Sequence, residues 1–323
     1  MVVVTGASGH VGGNLVRALL ASGRAVRVCV REDTRSIDGL DVERVRADVL
    51  DRDSLARAFD GAEVVYHLAA LISIVGPQGG RVHRTNVEGP ANVVEACLDR
   101  KVRRLVHFSS VHAFNQQPPD QPLDETREDA LGRAPAYDRS KAAGHRNVLA
   151  GVARGLDAVI VHPTGIIGPH DYKPSRMGHV LLGLYRREFP ALIAGGFDWV
   201  DVRDVVAGAM AAEQKGRTGE RYLLSGHWVS VMDIGRTVER VTGVRSPRRA
   251  SPMWLARVGA PFVEAWSKVT KTEPLYTAES LVALRGARDV RHDKAGRELG
   301  YDPRPFEDTI RDTFAWYKEI GWV

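Results

Sequence analysis

The 323-residue chain predicts an α/β protein, a doubly wound parallel sheet with a smaller C-terminal lobe that would bind substrate. Three observations carry this. Short β-branched runs alternate with amphipathic helical stretches through the first half of the chain. A glycine-rich turn, Gly6-Ala7-Ser8-Gly9-His10-Val11-Gly12, follows the first of those runs directly. Beyond Pro163 the rhythm breaks into glycine- and proline-containing loops.

Val2–Val4 is the first strand, and Leu15, Leu19 and Leu20 mark the buried face of the helix after the glycine turn, which Gly23 would stop. Val26, Val28 and Val30 form a second strand, and Val45 with Val49 a third. Val64-Val65-Tyr66-His67-Leu68 reads as the fourth, followed by Leu105 to Phe108 and Ala158 to Val161. Residues 1–165 form the nucleotide-binding domain, to which strands and helices near 199–212 return. Residues 166–323, with a helix near 178–187, form mainly the substrate lobe. No repeat or flexible linker interrupts the chain, so it should cross between the two parts.

Composition sets outer bounds. The apolar fraction of 44% is ordinary for a globular protein. Cys29 and Cys97 lie in apolar strand-like and helix-like stretches without paired or metal-type spacing, which fits a reducing cytoplasm, and no metal site is expected. No export signal and no membrane-spanning run is evident. The net charge of +5 falls on residues 236–311, where Arg245, Arg248 and Arg249 could meet an anionic substrate but read more simply as solvated surface. No nucleic-acid motif accompanies them.

The glycine turn has the context that gives such a motif meaning, a strand before and a helix after. Its spacing is GxxGxxG. Gly6 would permit the tight turn, Gly9 the approach of a pyrophosphate, and Gly12 close packing of helix on strand, with phosphates at the helix N-terminus. At the end of the second strand stands Arg31, where an acidic residue would favour NAD. Arg31, with Thr34 and Arg35, would accommodate a 2′-phosphate and favour NADP, unless the strand runs on to bring Glu32 or Asp33 to that place.

Tyr137 and Lys141 stand four residues apart in Tyr137-Asp138-Arg139-Ser140-Lys141, ahead of Ala142, Ala143, Val148 and Leu149. A helix over 137–149 would put phenol and ammonium on one face. A cation there would bring a phenol that titrates near ~10 toward the working range. The spacing alone is common on solvated helix faces; beside a dinucleotide turn it suggests redox chemistry.

Several segments now carry a resemblance. The glycine turn with Thr5, Asp48-Val49-Leu50-Asp51, His67-Leu68-Ala69-Ala70, Asn86-Val87-Glu88-Gly89, Phe108-Ser109-Ser110 and Tyr137 to Lys141 occur in the order seen in extended short-chain dehydrogenases/reductases, the NAD-dependent epimerase/dehydratase superfamily of Rossmann-fold enzymes. His162 to Pro169 and Trp199 to Val205 resemble later landmarks, so coverage is nearly complete. The segment Gly168 to Gly178 is most similar to dihydroflavonol-reductase-like members.

The resemblance implies Ser110, Tyr137 and Lys141 as catalytic residues, with Ser109 as a fallback for Ser110 and a further cofactor contact. The cofactor set adds Gly6, Ser8, Gly9, His10, Val11, Gly12, Arg31 and Arg35, then Asp48 and Val49 at the adenine and Leu68, Ala69 and Ala70 along the cleft. Asn86 would lie near the nicotinamide-side ribose, and Pro163 and Ile166 beside the nicotinamide. His112, Tyr172, Met177 and Tyr185 are candidate substrate contacts. Related enzymes pair through two helices, here 88–100 and 138–154, so a homodimer is expected.

Three functions compete at this point. The first is an NADP-dependent reductase or dehydrogenase acting on a carbonyl or alcohol of a moderately apolar small molecule. The second is an NAD-dependent nucleotide-sugar epimerase. The third is a non-catalytic dinucleotide sensor. A sugar dehydratase fits less well, because Val111-His112 stands where that group carries an Asp-Glu pair. His67 and His107 read as core histidines. Trp254, Val258, Phe262 and Trp266 could cap an apolar substrate, with core packing as the plainer explanation.

Overall fold

The computed structural model describes residues 1–254 and 277–323. Its central sheet joins seven strands: β1 (Val2–Thr5), β2 (Val26–Val30), β3 (Glu43–Arg46), β4 (Val64–His67), β5 (Arg104–Phe108), β6 (Ala158–Pro163) and, much later in the chain, β9 (Arg221–Leu224). The spatial order is β9-β6-β5-β4-β1-β2-β3, and every pairing is parallel. The doubly wound sheet expected from the alternation is therefore present.

The strand compositions follow from what covers them. All residues of β1, β4, β5 and β6 are buried, as a parallel sheet with helices on both faces requires. The edge strand β3 is instead charged and mostly exposed, which discourages pairing with another chain. It ends at Arg46, so Val49 lies outside the strand in which the sequence reading put it.

Helix α1 (His10–Ala21) buries Leu15, Val16 and Leu19 on one face of the sheet, and Gly23, at φ +75°, turns the chain out of it. Helix α2 (Arg52–Ala58) is capped by Asp51, whose carboxylate accepts from Ser54 N–H at 3.1 Å. On the opposite face, α3 (Gly89–Asp99) and α4 (Ala136–Val152) pack closely. A Cβ on Gly144 would stand 2.2 Å from Asn86 O, and one on Gly151 would stand 2.6 Å from Val94 Cγ1.

Beyond β6 the chain enters a second unit. Strands β7 (Gly165–Ile167), β8 (Gly196–Asp201) and β10 (His227–Ser230) form a three-stranded sheet with β8 at its centre. Helices α5 (Arg176–Tyr185), α7 (Val231–Thr242) and α10 (Phe306–Glu319) enclose an aromatic core around it. A short pairing of Leu192–Ile193 with Ala250–Ser251 and helix α8 (Ala278–Ala283) complete the described lobe.

The return to the central sheet is more extensive than the range 199–212 implied. The strand at 196–201 belongs to the lobe, and α6 (Val202–Lys215) is the element that crosses back, packing beside α1. Strand β9 then joins the sheet edge with Arg221 opposite Ile160, and α9 (Asp293–Leu299) adds Ala295 and Leu299 to the same core. The patterns explain the difference: Phe197 and Trp199 alternate with buried neighbours, as in a sheet covered on one face, whereas Tyr222-Leu223-Leu224 is a continuous buried run. Residues 166–323 are thus shared between two units.

Candidate functional site

A cavity of about 1230 Å³ opens over the C-terminal ends of the parallel strands. It spans the point where the chain winds outward in both directions from β1, with β2 on one side and β4 on the other, which is where open α/β sheets bind ligands.

The glycine turn forms one wall, through Gly6, Ser8, Gly9, His10, Val11 and Gly12. Gly6 has φ +74°, and a Cβ there would fall 2.7 Å from Ala69 N. A Cβ on Gly12 would fall 2.2 Å from Gly6 O, so only glycine lets α1 start this close to the turn. At Gly9 the nearest contact would be 3.4 Å, leaving space toward the cavity. No side chain caps the N-terminus of α1 and no acidic residue stands in its first turn. Its free backbone N–H groups and positive dipole end fit a dinucleotide pyrophosphate.

At the adenine end β2 stops at Val30, so Arg31 is the first residue past the strand. It lines the cavity with Glu32, Asp33, Asp48, Val49 and Leu50, its side chain exposed and 3.9 Å from Asp48 Oδ2. Arg35 does not reach the cavity. Its guanidinium is held by Asp33 at 2.7 and 3.0 Å, which in turn pulls the Asp33 carboxyl down to about 2.

Leu68, Ala69 and Ala70 line the cavity past β4. Asn86 does not line it. Buried in the π turn before α3, its amide donates to Leu71 O at 2.9 Å and Ser140 Oγ at 3.0 Å and accepts from Leu71 N at 2.8 Å. It ties the wall of the cleft to α4 rather than facing a ribose.

Ser110, Tyr137 and Lys141 all line the cavity. Ser110 caps a short turn after β5, accepting His112 N–H at 3.2 Å, with its hydroxyl close enough to the Tyr137 phenol to favour phenolate. Ser109 also lines the cavity, but its buried hydroxyl has no hydrogen-bond partner among the described residues. Tyr137 lies in the first turn of α4 and Lys141 one turn on, where the buried ammonium donates to Phe108 O at 2.8 Å.

The electrostatics differ from the sequence expectation. Burial pushes the Tyr137 phenol up to about 12, with Asp138 adding to the rise; the Ser110 hydrogen bond and the Arg176 cation oppose it. The Lys141 ammonium is turned to the end of β5, and burial lowers its pKa to about 8.

Pro163 and Ile166 line the wall beyond, and His112 is the one residue of the expected substrate set that does so. Its ring stacks on Phe197 at 5.7 Å, meets the edge of Tyr137 at 5.9 Å and brings Nδ1 within 3.4 Å of Asp138 Oδ1. Tyr172, Met177 and Tyr185 pack into the lobe core instead. Tyr172 sits 5.2 Å from Trp316 and beneath the Arg17 guanidinium, Met177 is buried on α5, and Tyr185 lies 5.8 Å from Phe314. An aromatic-rich lobe needs these side chains for its own interior, which overrides their loop-like sequence setting.

Phe197, Asp138 and Arg176 line the cavity without having been singled out. The alternation of Phe197 and Trp199 in β8 was a readable signal for the first, and adjacency to Tyr137 for the second. Arg176 had none, since only the fold brings α5 to the site. His67 and His107 are buried in the core, with Thr5 Oγ1 2.7 Å from His67 Nδ1. Arg245, Arg248 and Arg249 are exposed and outside the cavity. Trp254 is exposed, and Val258, Phe262 and Trp266 lie outside the described residues.

The model of the family described as "NAD dependent epimerase/dehydratase family" matches residues 2–225, the stretch that ends with β9. Sterol demethylase protein B of Methylococcus capsulatus is 35% identical over 325 residues, covering 99% of each chain. A Synechocystis protein named for dihydroflavonol 4-reductase is 33% identical, covering 99% of this chain and 95% of its own. Among solved structures, that of gox2253 superposes with a TM-score of 0.86 at 32% identity, covering 100% of this chain and 99% of the other.

Proposed function

The chain belongs to the NAD dependent epimerase/dehydratase family and is an NAD(P)-dependent oxidoreductase of the extended short-chain type; from that premise we propose that it is an NADP-dependent reductase or dehydrogenase acting on a carbonyl or alcohol of a moderately apolar small molecule. The observation that carries this reading is that Ser110, Tyr137 and Lys141 line the same cavity as the glycine turn.

The dinucleotide, when bound, supplies or accepts the hydride. Gly6 to Gly12 would hold its pyrophosphate, Arg31 its 2′-phosphate, Asp48 and Val49 its adenine, and Lys141, Pro163 and Ile166 its nicotinamide half. Ser110 Oγ–H would donate to the substrate carbonyl oxygen, fixing it and stabilising the negative charge that grows there. Tyr137 Oη–H would deliver the proton to that oxygen; in the oxidative direction the same oxygen atom of Tyr137 takes the alcohol proton. Arg176 opposes the rise of the Tyr137 phenol, and Lys141, one helical turn from it, would support phenolate and orient the nicotinamide half. His112 with Phe197 offers a flat wall for the substrate.

Apolar residues around the mouth, among them Ile72, Leu131 and Val282, suit a moderately apolar substrate and the names of the relatives. A nucleotide-sugar epimerase is the alternative, favoured by Arg133 and Arg176, which line the same cavity and could meet a diphosphate. Retention of cofactor through purification and turnover without added NADPH would support it.

The deciding experiment is titration of the cofactor-stripped protein with NADPH and NADH, repeated for Arg31→Ala. A preference for NADPH of tenfold, about 1.4 kcal/mol, that vanishes in the variant supports the proposal. A preference for NADH overturns the 2′-phosphate role and moves the epimerase forward. A homodimer through α3 and α4 belongs to the same reading, and light scattering on the purified protein tests it.

A further inference from the structure

Ser110 and Tyr137 come from different elements, the end of β5 and the start of α4, yet both oxygens must reach one substrate atom. Something has to set their spacing. Ser110 is extended, at φ −163° and ψ 155°, and its carbonyl oxygen accepts from Ala113 N–H at 2.9 Å and from His162 Nδ1 at 3.0 Å. A carbonyl can only accept, so Nδ1 carries the ring proton. Nε2 of His162 is buried without a hydrogen-bond partner among the described residues, which leaves the imidazole one polar task, that bond to Ser110.

Behind His162 stands a second fully buried imidazole. The ring of His145 meets that of His162 edge-on at 5.4 Å, and its Nε2 lies 3.1 Å from Asp129 Oδ2. Asp129 is fixed in turn by Arg221 of β9 at 3.1 Å. The ring of Phe114 closes the other side of His162 at 4.6 Å. His145 follows Lys141 by four residues on α4, as Lys141 follows Tyr137, so one helix carries the phenol, the ammonium and this support.

We propose that His162, backed by His145 and Asp129, is a positioning residue that holds the Ser110 carbonyl and thereby sets the distance between the Ser110 hydroxyl and the Tyr137 phenol. The inference rests on the reading of Ser110 and Tyr137 as the proton-handling pair. A mere core histidine would be replaceable by any side chain of similar volume; a positioning histidine requires a donor at the Nδ1 place.

Asparagine and glutamine separate the two. The side-chain amide nitrogen introduced by His162→Asn falls near the place of the imidazole Nδ1, whereas the amide introduced by His162→Gln lies one bond further out. The assay is NADPH oxidation with whichever of a panel of aryl aldehydes and cyclic ketones the wild-type protein reduces fastest, alongside NADPH affinity and thermal midpoint. We expect His162→Asn to keep kcat within about threefold and His162→Gln and His162→Leu to lose roughly 10- to 100-fold in kcat, with KM and NADPH affinity within about twofold. Equal losses in the asparagine and glutamine variants, or none in either, overturn the proposal, and this contrast survives even where the leucine variant does not fold. Ser110→Ala is the control. If it turns over like wild type, the reading of Ser110 itself fails; if it is impaired while His162→Gln is not, only the positioning role fails.

Discussion

The central sheet and the lobe face each other across the cavity, and they use their buried polar and aromatic residues in opposite ways. In the sheet, Thr5, His67, His107, Ser109, Ser110 and His162 are buried at or just past the C-terminal strand ends, so polar groups concentrate where the cavity begins. In the lobe, Tyr172, Tyr185, Phe314, Trp316, Tyr317 and Trp322 turn inward on one another, and its side of the cavity is reached by residues such as Phe197 and Arg176 at element ends. The sheet wall is set by backbone register and glycine contacts, leaving little freedom to vary. The lobe wall is set by which few side chains its core does not need, and that is how one reaction can be fitted to many substrates.

Removing the Tyr137 hydroxyl should give the largest functional effect on this comparison. Tyr137→Phe is expected to lower turnover by about 10²- to 10⁴-fold with cofactor affinity nearly intact, measured by steady-state kinetics beside NADPH titration. Unchanged turnover would remove Tyr137 from the chemistry. The matching change in the lobe is Trp316→Ala, which should cost about 3–5 kcal/mol of stability in denaturant unfolding while the surviving folded protein keeps its affinity for NADPH. A comparable loss of cofactor affinity would show that the two units are not energetically separable.

Acid should act through the sheet. Burial holds His67 neutral down to about 3 and keeps His107 and His162 well below the usual imidazole range. The unfolded chain takes up protons at these residues near ~6.5, so the pH-dependent stability is fully present above that value and is lost progressively as pH falls below it toward the folded value of about 3 at His67. Each histidine contributes a slope of up to about 1.4 kcal/mol per pH unit. Urea midpoints from neutral pH down into that acid range measure it, and a flat profile would mean that these rings charge freely in the folded protein.

The smallest expected effect is the most pointed. Tyr172→Phe removes a 3.3 Å hydrogen bond from Arg17 and should cost about 1 kcal/mol or less of stability with KM unchanged. A several-fold rise in KM would return Tyr172 to the substrate wall.

Legibility followed the same division. Val2 to Gly12 could be read residue by residue, because a turn in which Cβ atoms would collide with backbone must be glycine whatever surrounds it. Tyr137 and Lys141 were legible through helical spacing, and the end of β2 at Val30 through the apolar alternation before Arg31. Arg35 and Asn86 lie outside the cavity lining because each has a partner, Asp33 or Leu71 and Ser140, that holds its polar atoms, and the sequence does not record such partners. Tyr172, Met177 and Tyr185 pack on the lobe core, a placement the sequence left open because a loop-like stretch says nothing of which face of the lobe will be inside.

What the sequence determined by itself was the doubly wound sheet, the glycine turn and the one-turn spacing of Tyr137 and Lys141, all of which depend on local backbone geometry and short periodicities, whereas Ser110 was implied by the resemblance. Only the tertiary structure decided that Arg176 comes to the Tyr137 phenol, that β9 and α9 return to the sheet, and that His162 grips the Ser110 carbonyl. Each of those outcomes joins residues far apart in the chain, 52 positions in the case of Ser110 and His162. Electrostatics and hydrogen bonding act on distance in space, which the order of residues along a chain does not record.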